Sequence, residues 1–110
     1  MIKFTVRGSK GDEYLITASR EGEEFRITCT CDAAQNRLYC RHRISLLKGD
    51  VGAIISENEA DVHKLIRLSS GTAVEKRLRT IKELEVTKEA IDSKLKSEKK
   101  ALAREMTGSS

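Results

Sequence analysis

Apolar and polar side chains alternate in three segments near the start of the chain. The apolar positions of these segments are Ile2, Phe4 and Val6; Tyr14, Ile16 and Ala18; and Phe25, Ile27, Cys29 and Cys31. A period of two is typical of a half-buried β-strand, because successive side chains point to opposite faces of a sheet. Short glycine-containing segments at residues 8–12 and 21–24 separate the three. The pattern therefore predicts an antiparallel β-meander.

The period changes after the third predicted strand. Residues 32–39 follow no clear pattern. From Cys40 onward, Ile44 and Leu47 recur at helical spacing, and Gly49 stands where a left-handed residue ends a helix. We therefore expect a short helix that begins near Cys40 and ends at Gly49.

A second helix is predicted beyond this glycine. Ser56 followed three residues later by Glu59 is a capping-box pattern, and Gly71 provides the end signal. The apolar positions of this helix are Val62, Leu65 and Ile66. The apolar segment 51–55, which lies between the two helices, is expected to pack under the sheet.

The rest of the chain predicts one long helix. Thr72 and Glu75 form a second capping-box pattern, and no glycine or proline follows before Gly108. A helix over residues 72–107 would be about 50 Å long. Its apolar residues at 3,4 spacing are Ile81, Leu84, Ile91, Leu95 and Leu102, with Lys88 and Glu98 at the two interrupted positions.

This spacing resembles an imperfect heptad repeat, the pattern of a coiled coil. We expect residues 72–107 to mediate homodimerisation, since a helix this polar is rarely stable without a partner. The alternative is a long helix that packs on its own domain along part of its length. The last residues, 108–110, are expected to be either a frayed tail or an addition that is not native to the protein.

Composition bounds the class of protein. The 110 residues are 38% hydrophobic and 35% charged, with no tryptophan and no proline. This length indicates one small domain with an extension, and it argues against a large enzyme fold. No apolar run approaches the ~18 residues of a membrane span, and the first twenty residues lack the apolar stretch of a signal peptide. A cytoplasmic protein is expected.

All three cysteines and one of the two histidines lie within fourteen residues. They form the pairs Cys29-x-Cys31 and Cys40-x-His42, separated by eight residues. Three thiolates and one imidazole are a standard ligand set for structural zinc. Cys29 and Cys31 face the same side of a strand but stand about 7 Å apart, so the chain must curl at residues 30–32. Cys40 would lie in the first turn of a helix, whose positive end favours a thiolate.

Two other interpretations of the cysteines remain. They are three reduced thiols, two of them on a buried strand face, or they include a disulfide. The odd number of cysteines and the expected reducing compartment weaken the disulfide. The pairing of C-x-C with C-x-H, at a strand end and a helix start, favours one zinc ion per chain.

The segment TCTCDAAQNRLYCRHRISLL resembles the SWIM zinc finger, and the resemblance covers roughly residues 13–48. It implies that a strand pair leads into the first ligand pair and that a helix carries the second. By position it assigns the four ligands to Cys29, Cys31, Cys40 and His42. SWIM modules bind DNA or other proteins, so the resemblance implies one of these two functions. The fold class expected overall is α+β: a meander with a zinc-bound strand-to-helix finger (1–50), a connecting segment and short helix (51–71), and a long helix (72–107).

Four protein ligands would close the coordination sphere of zinc, whereas a catalytic zinc keeps a position open for water. His63, the other histidine, is expected to be a partly exposed helical residue rather than a catalytic base. No nucleophile motif or phosphate-binding glycine loop stands out. We therefore expect no enzymatic activity.

Basic residues surround the predicted finger. Residues 26–48 hold five cations and one acid, a formal charge of +4, within a chain of net charge +4. Arg37, Arg41 and Arg43 are the predicted nucleic-acid contacts, and Tyr39 is placed to stack on a base. The same arginines would otherwise make ordinary surface contacts or hydrogen-bond to the zinc-bound sulfurs. The alternative function is a protein-interaction adaptor that dimerises through its C-terminal helix.

Overall fold

The three alternating segments form one antiparallel sheet. In the computed structural model, which describes residues 1–108, its strands are β1 (Ile2–Arg7), β2 (Glu13–Glu21) and β3 (Glu24–Cys29), in the order β1-β2-β3. Phe4 lies opposite Ile16, and Ile16 lies opposite Cys29, so one row of side chains crosses the sheet. The predicted meander is confirmed.

Within residues 1–108, four helices follow the sheet, and the α+β fold class is confirmed. They are α1 (Asp32–Gln35), α2 (Arg41–Leu47), α3 (Asp61–Ser69) and α4 (Ala73–Met106). The chain divides into two compact units, Met1–Glu75 and a second unit that begins at Lys76. The first unit contains the sheet and α1 to α3, and most of α4 forms the second.

The core of the first unit lies between one face of the sheet and the helices α2 and α3. Helix α2 contacts β3, and α3 contacts β2. The most deeply buried apolar side chains, each at most 1% exposed, are Phe4, Val6, Ile16, Ala18, Leu46 and Leu65. Full burial of one large apolar side chain contributes about 1.5–3 kcal/mol, so a core this small leaves room for a further source of stability.

Helix α1 was not predicted from the sequence. Strand β3 ends at Cys29 rather than continuing to Cys31, and Cys31 is instead the N-cap of this single helical turn. Its sulfur accepts a hydrogen bond from the backbone N–H of Ala34 at 3.4 Å. The expectation that Cys31 belongs to the strand is therefore wrong, although the predicted curl after Cys29 is present.

Helix α2 agrees with the prediction. Cys40 is its N-cap, and Gly49 follows its end with a φ of 87°. This left-handed conformation favours glycine because it has no Cβ.

Segment 51–55 lies beside the sheet rather than under it, which corrects the sequence expectation. Ile54 forms an isolated antiparallel bridge with Val6, and the N–H of Ile55 donates to the carbonyl of Thr5 at 2.8 Å. Arg7 donates its N–H to the carbonyl of Ala53 at 2.9 Å. The segment thereby covers the open edge of β1, where unpaired backbone groups would otherwise invite another strand.

The start of α3 also differs from its prediction. The helix begins at Asp61, and Ser56 does not cap it. The Ser56 hydroxyl instead accepts a hydrogen bond from the N–H of Thr5 at 3.0 Å, and the amide of Asn58 donates to the carbonyl of Lys3 at 2.8 Å. Ser56 and Asn58 therefore attach the loop before α3 to β1, because their side chains pair with backbone N–H and C=O groups of this edge strand.

The end of α3 is held by a residue distant in sequence. Arg20 of β2 donates from its guanidinium to the carbonyls of Leu68 and Ser70, at 3.1 and 2.8 Å. A cation near the last turn satisfies carbonyls that have no partner within the helix.

Helix α4 confirms the predicted long helix, with 34 residues from Ala73, directly after Thr72. None of its residues is buried, and its seam residues Leu84, Ile91, Leu95 and Leu102 are 51–63% exposed. In the described part of the chain, no helix is long and apolar enough to cross a membrane. Homodimerisation through this helix stays a prediction. Of residues 108–110, Ser109 and Ser110 lie outside the described residues.

Replacing Ser56 with alanine should lower the free energy of unfolding by about 1 kcal/mol, because the Thr5 N–H loses its acceptor. Glu59→Ala is the matched control, since Glu59 is exposed and belongs to the same sequence pattern. Urea unfolding followed by circular dichroism measures both. If Glu59→Ala destabilises the protein as much as Ser56→Ala does, the capping-box interpretation is the correct one.

Candidate metal centre

Four ligand-type atoms converge at the junction of sheet and helices. The sulfurs of Cys29, Cys31 and Cys40 and a ring nitrogen of His42 all lie within 4.8 Å of one another. The three cysteines are buried, and His42 is half-buried. The cluster therefore brings together the four residues that the sequence predicted as ligands.

The first ligand pair is placed by the end of the sheet. Cys29 is the last residue of β3, opposite Ile16 of β2. Thr30 then holds the bend against β2: its N–H donates to the carbonyl of Leu15 at 3.2 Å, and its hydroxyl accepts from the Leu15 N–H at 3.0 Å. This turn directs the Cys31 sulfur toward Cys29 instead of leaving it one strand repeat away.

The second ligand pair is placed by the start of α2. Cys40 is the N-cap, and His42 lies in the first turn with its Nδ1 atom 3.6 Å from the Cys40 sulfur and 3.8 Å from the Cys29 sulfur. Nδ1, rather than Nε2, is therefore the nitrogen that faces the cluster.

Arg43 braces the loop between the two ligand pairs. Its guanidinium donates to the carbonyl of Ile27 at 3.1 Å and to the carbonyl of Leu38 at 3.0 Å. One side chain on α2 thus connects β3 to the loop that precedes Cys40.

The environment separates the acidities of two thiols. Burial raises the pKa of Cys29 to about 12. Burial also acts to raise the pKa of Cys40, but the backbone amide of Arg43, the Cys31 thiol, the His42 ring and the Arg43 side chain outweigh it and lower that pKa to about 6. Of these two thiols, Cys40 therefore forms a thiolate more readily before metal binding, and a bound metal deprotonates its thiol ligands outright.

One aromatic side chain packs against the His42 ring. Tyr14 of β2 packs on it with ring centroids 4.6 Å apart. Desolvation, followed by the nearby Asp12 carboxylate, raises the pKa of the Tyr14 hydroxyl above its ordinary value. Gly8 lies behind this pair, and a Cβ there would come within 2.8 Å of the Tyr14 ring. The turn between β1 and β2 therefore needs a glycine to leave room for the ring that orients His42.

The arrangement fits tetrahedral zinc. Zn–S and Zn–N bonds of ~2.3 and ~2.05 Å imply ligand separations of ~3.8 Å between sulfurs and ~3.6 Å between sulfur and nitrogen. Three of the six separations in the structure are 3.4 Å between the Cys31 and Cys40 sulfurs and 3.6 and 3.8 Å from the Cys40 and Cys29 sulfurs to His42 Nδ1, and all six lie within 4.8 Å. All three cysteines are free thiols in this structure. The site accommodates one structural zinc ion held by four protein ligands.

Comparison with known proteins agrees with this geometry. Residues 4–48 match the family model of the SWIM zinc finger. The match begins before residue 13, where the sequence resemblance was placed, and so includes most of β1. It covers less than half of the 110 residues. No curated protein and no solved structure matches the chain.

The predicted nucleic-acid contacts lie in different environments. Arg37 is exposed in the loop between the ligand pairs, with a φ of 60°, and Arg41 is exposed at the first position of α2. Arg43 is half-buried and donates to backbone carbonyls. Tyr39 is 58% exposed beside Cys40. His63 is exposed on α3, as expected.

Sequence reasoning missed the residues around the ligands. Tyr14 lies two residues before Ile16 on the same strand face, and Ile16 faces Cys29. The pairing of β2 with β3 places Tyr14 beside the site. That pairing cannot be predicted from residue spacing, so the sequence gives no signal for the role of Tyr14. For Gly8, the sequence predicts only a position in a turn.

Cys40→Ser should lose most of the zinc and much of the folded structure, because serine is a poor zinc ligand and metal binding is coupled to folding. His63→Ala, which removes the other histidine, should retain one zinc per chain. Elemental analysis of reduced protein and circular dichroism with and without a chelator measure both effects. Wild-type protein that contains no zinc and is indifferent to chelator would refute the site.

Proposed function

We propose that the protein is a non-enzymatic zinc-binding module whose finger binds nucleic acid, DNA in particular, and that its long helix forms a homodimer. The observation that carries the proposal is the pair of exposed cations, Arg37 and Arg41, close in sequence to the ligands Cys40 and His42. A bound metal would hold this backbone in place, and an ordered backbone lowers the cost of each phosphate contact.

The charge around the finger supports this function after correction for local pairing. Residues 26–48 carry a formal charge of +4, and zinc with three thiolates and a neutral histidine reduces it to about +3. Arg26 is paired with Glu24 at 2.9 Å, so it contributes little to a phosphate surface. Arg43 serves the ligand loop. We therefore assign the main contacts to Arg37 and Arg41, and a positioning role to Arg43.

Tyr39 adds an aromatic ring that can stack on a base. The residue is 58% exposed, and it lies between Arg37 and Arg41 in the sequence. An aromatic face next to cations suits the stacking of an unpaired base. Single-stranded DNA or RNA should therefore be tested beside duplex.

The absence of catalysis is part of the proposal. Four protein ligands leave no position for a zinc-bound water, which is what a hydrolytic zinc site needs. A reducing, cytoplasmic compartment fits the same site, because its three thiols must stay reduced to bind the metal.

A protein-interaction adaptor is the second candidate. Leu38, beside Tyr39, is 60% exposed, and an exposed apolar pair in the loop before Cys40 suits a protein surface as well as a base. Salt separates the two functions, because phosphate contacts weaken steeply as salt rises whereas apolar contacts do not.

Arg41→Ala and Arg37→Ala should each weaken binding to DNA or RNA at low salt and flatten the slope of log K against log salt by about one unit. Arg67→Ala, an exposed arginine on α3, is the matched control. Fluorescence anisotropy with labelled oligonucleotides gives the slopes, and zinc content should be unchanged in all three variants.

The nucleic-acid proposal is contradicted if zinc-loaded wild-type protein binds neither single- nor double-stranded DNA or RNA at ~50 mM salt. Phosphate contacts are strong at this low salt concentration. A protein partner whose complex survives high salt would then support the adaptor.

The full-length protein should be a dimer in light scattering at tens of micromolar, roughly where weak coiled coils associate. Ile91→Glu should yield a monomer, because it places a charge in the apolar seam. Val86→Glu is the matched control: Val86 and Ile91 are each 61% exposed, but Val86 lies outside the seam. Equal effects of the two substitutions would argue against a seam.

A further inference from the structure

The seam of α4 is interrupted by two charges of opposite sign. Along the 3,4 repeat, Ile81, Lys88, Leu95 and Leu102 occupy one core position, and Leu84, Ile91 and Glu98 occupy the other. Lys88 and Glu98 are exposed, and they stand at equal distances on either side of Ser93. A dimer must either bury these charges against like charges or pair them with opposite ones.

A parallel pair in register brings identical residues together. Lys88 would meet the partner's Lys88, and Glu98 would meet the partner's Glu98, both inside the seam. Like charges in a core position disfavour that pairing.

An antiparallel pair removes both conflicts. We propose that the α4 helices of the dimer run antiparallel about Ser93, with Lys88 of each chain against the partner's Glu98; this rests on the proposed homodimer. In antiparallel coiled coils the two core positions face each other across the seam. The same alignment then sets Ile91 against the partner's Leu95 and Leu84 against the partner's Leu102, so apolar residues meet apolar residues at the centre. Only at the ends of the seam does it set Ile81 against the partner's Glu105.

Neighbouring antiparallel registers lose this match. A shift of one heptad in one direction sets Lys88 against the partner's Ile91 and Glu98 against the partner's Ile81. The opposite shift pairs Lys88 with the partner's Glu105 but sets Glu98 against the partner's Leu95. Each alternative leaves a charge against an apolar side chain near the centre of its seam, where an unpaired charge is strongly disfavoured. The proposed register does so only at its ends, between Ile81 and the partner's Glu105.

The surface of α4 has a shallow depression at the C-terminal part of the seam. Its lining residues are Leu95, Glu98, Lys99, Ala101, Leu102 and Glu105. In the proposed register this depression receives the partner's Lys88. The lysine stem would lie on the two leucines while its ammonium group meets the Glu98 carboxylate.

Charges beside the seam do not decide the orientation. The antiparallel register brings Glu85 near the partner's Lys99, which occurs twice by symmetry and is attractive. It also brings Asp92 near the partner's Asp92 and Lys94 near the partner's Lys94, which is repulsive. These residues are exposed at the rim, where salt and water screen them, so the interior pair dominates.

Charge reversal tests the pairing. In the antiparallel dimer, Lys88→Glu and Glu98→Lys should each weaken dimerisation roughly tenfold or more, because each replaces two opposite-charge contacts with like-charge contacts. The double variant should restore affinity toward the wild-type value. Sedimentation equilibrium of the full-length zinc-loaded protein gives the dissociation constants, and circular dichroism monitors helix content.

Lys96→Glu and Glu89→Lys are the matched controls, since they make the same charge changes outside the seam. In a parallel dimer, either single reversal exchanges one like pair for another and leaves the dissociation constant nearly unchanged. That result, or failure of the double variant to recover, would overturn the antiparallel pairing while the dimer stands. A wild-type monomer at tens of micromolar would overturn the dimer and its orientation together.

Discussion

The convergence of four ligands on one point is the constraint on which the finger depends. Cys29 ends the sheet and Cys40 begins α2, so a single ion joins the two layers of the fold at their common edge. Structural zinc contributes on the order of 10–16 kcal/mol in small zinc domains at neutral pH, as much as the whole stability of a typical domain. The apolar core beneath it rests on a few large side chains. Metal binding is therefore the natural source of the remaining stability.

The surroundings of the ligands divide the arginines of the finger into two kinds. Arg43 turns inward, bridges β3 and the ligand loop, and lowers the pKa of Cys40. Arg37 and Arg41 remain on the surface on either side of the loop end. Arg43 thus holds the backbone of the ligand loop, and Arg37 and Arg41 extend from the same segment to the surface. The basic residues of this segment therefore have two different structural roles.

The stability of helix α4 has a different source from that of the zinc finger. It exposes an apolar seam along its length and buries none of its side chains in the single chain. Isolated helices gain little from propensity alone, and most helical stability in proteins comes from packing of an apolar face. The proposed antiparallel pair supplies that packing, and it explains why two opposite charges interrupt the seam symmetrically about Ser93.

Local patterns determined much of this protein. Alternation gave the strands, because a period of two survives whatever the strand packs against. The C-x-C and C-x-H pairs gave the ligands, because zinc chemistry restricts side-chain type, and the run without glycine or proline gave α4. What the sequence left open depended on partners far away in the chain. Ser56 has the local pattern of a helix cap, yet it binds the edge of β1, since an unpaired strand N–H competes for its hydroxyl. Arg43 and Tyr14 acquired their roles at the metal site only when the strands and α2 came together, because no spacing in the chain records contacts made across the fold.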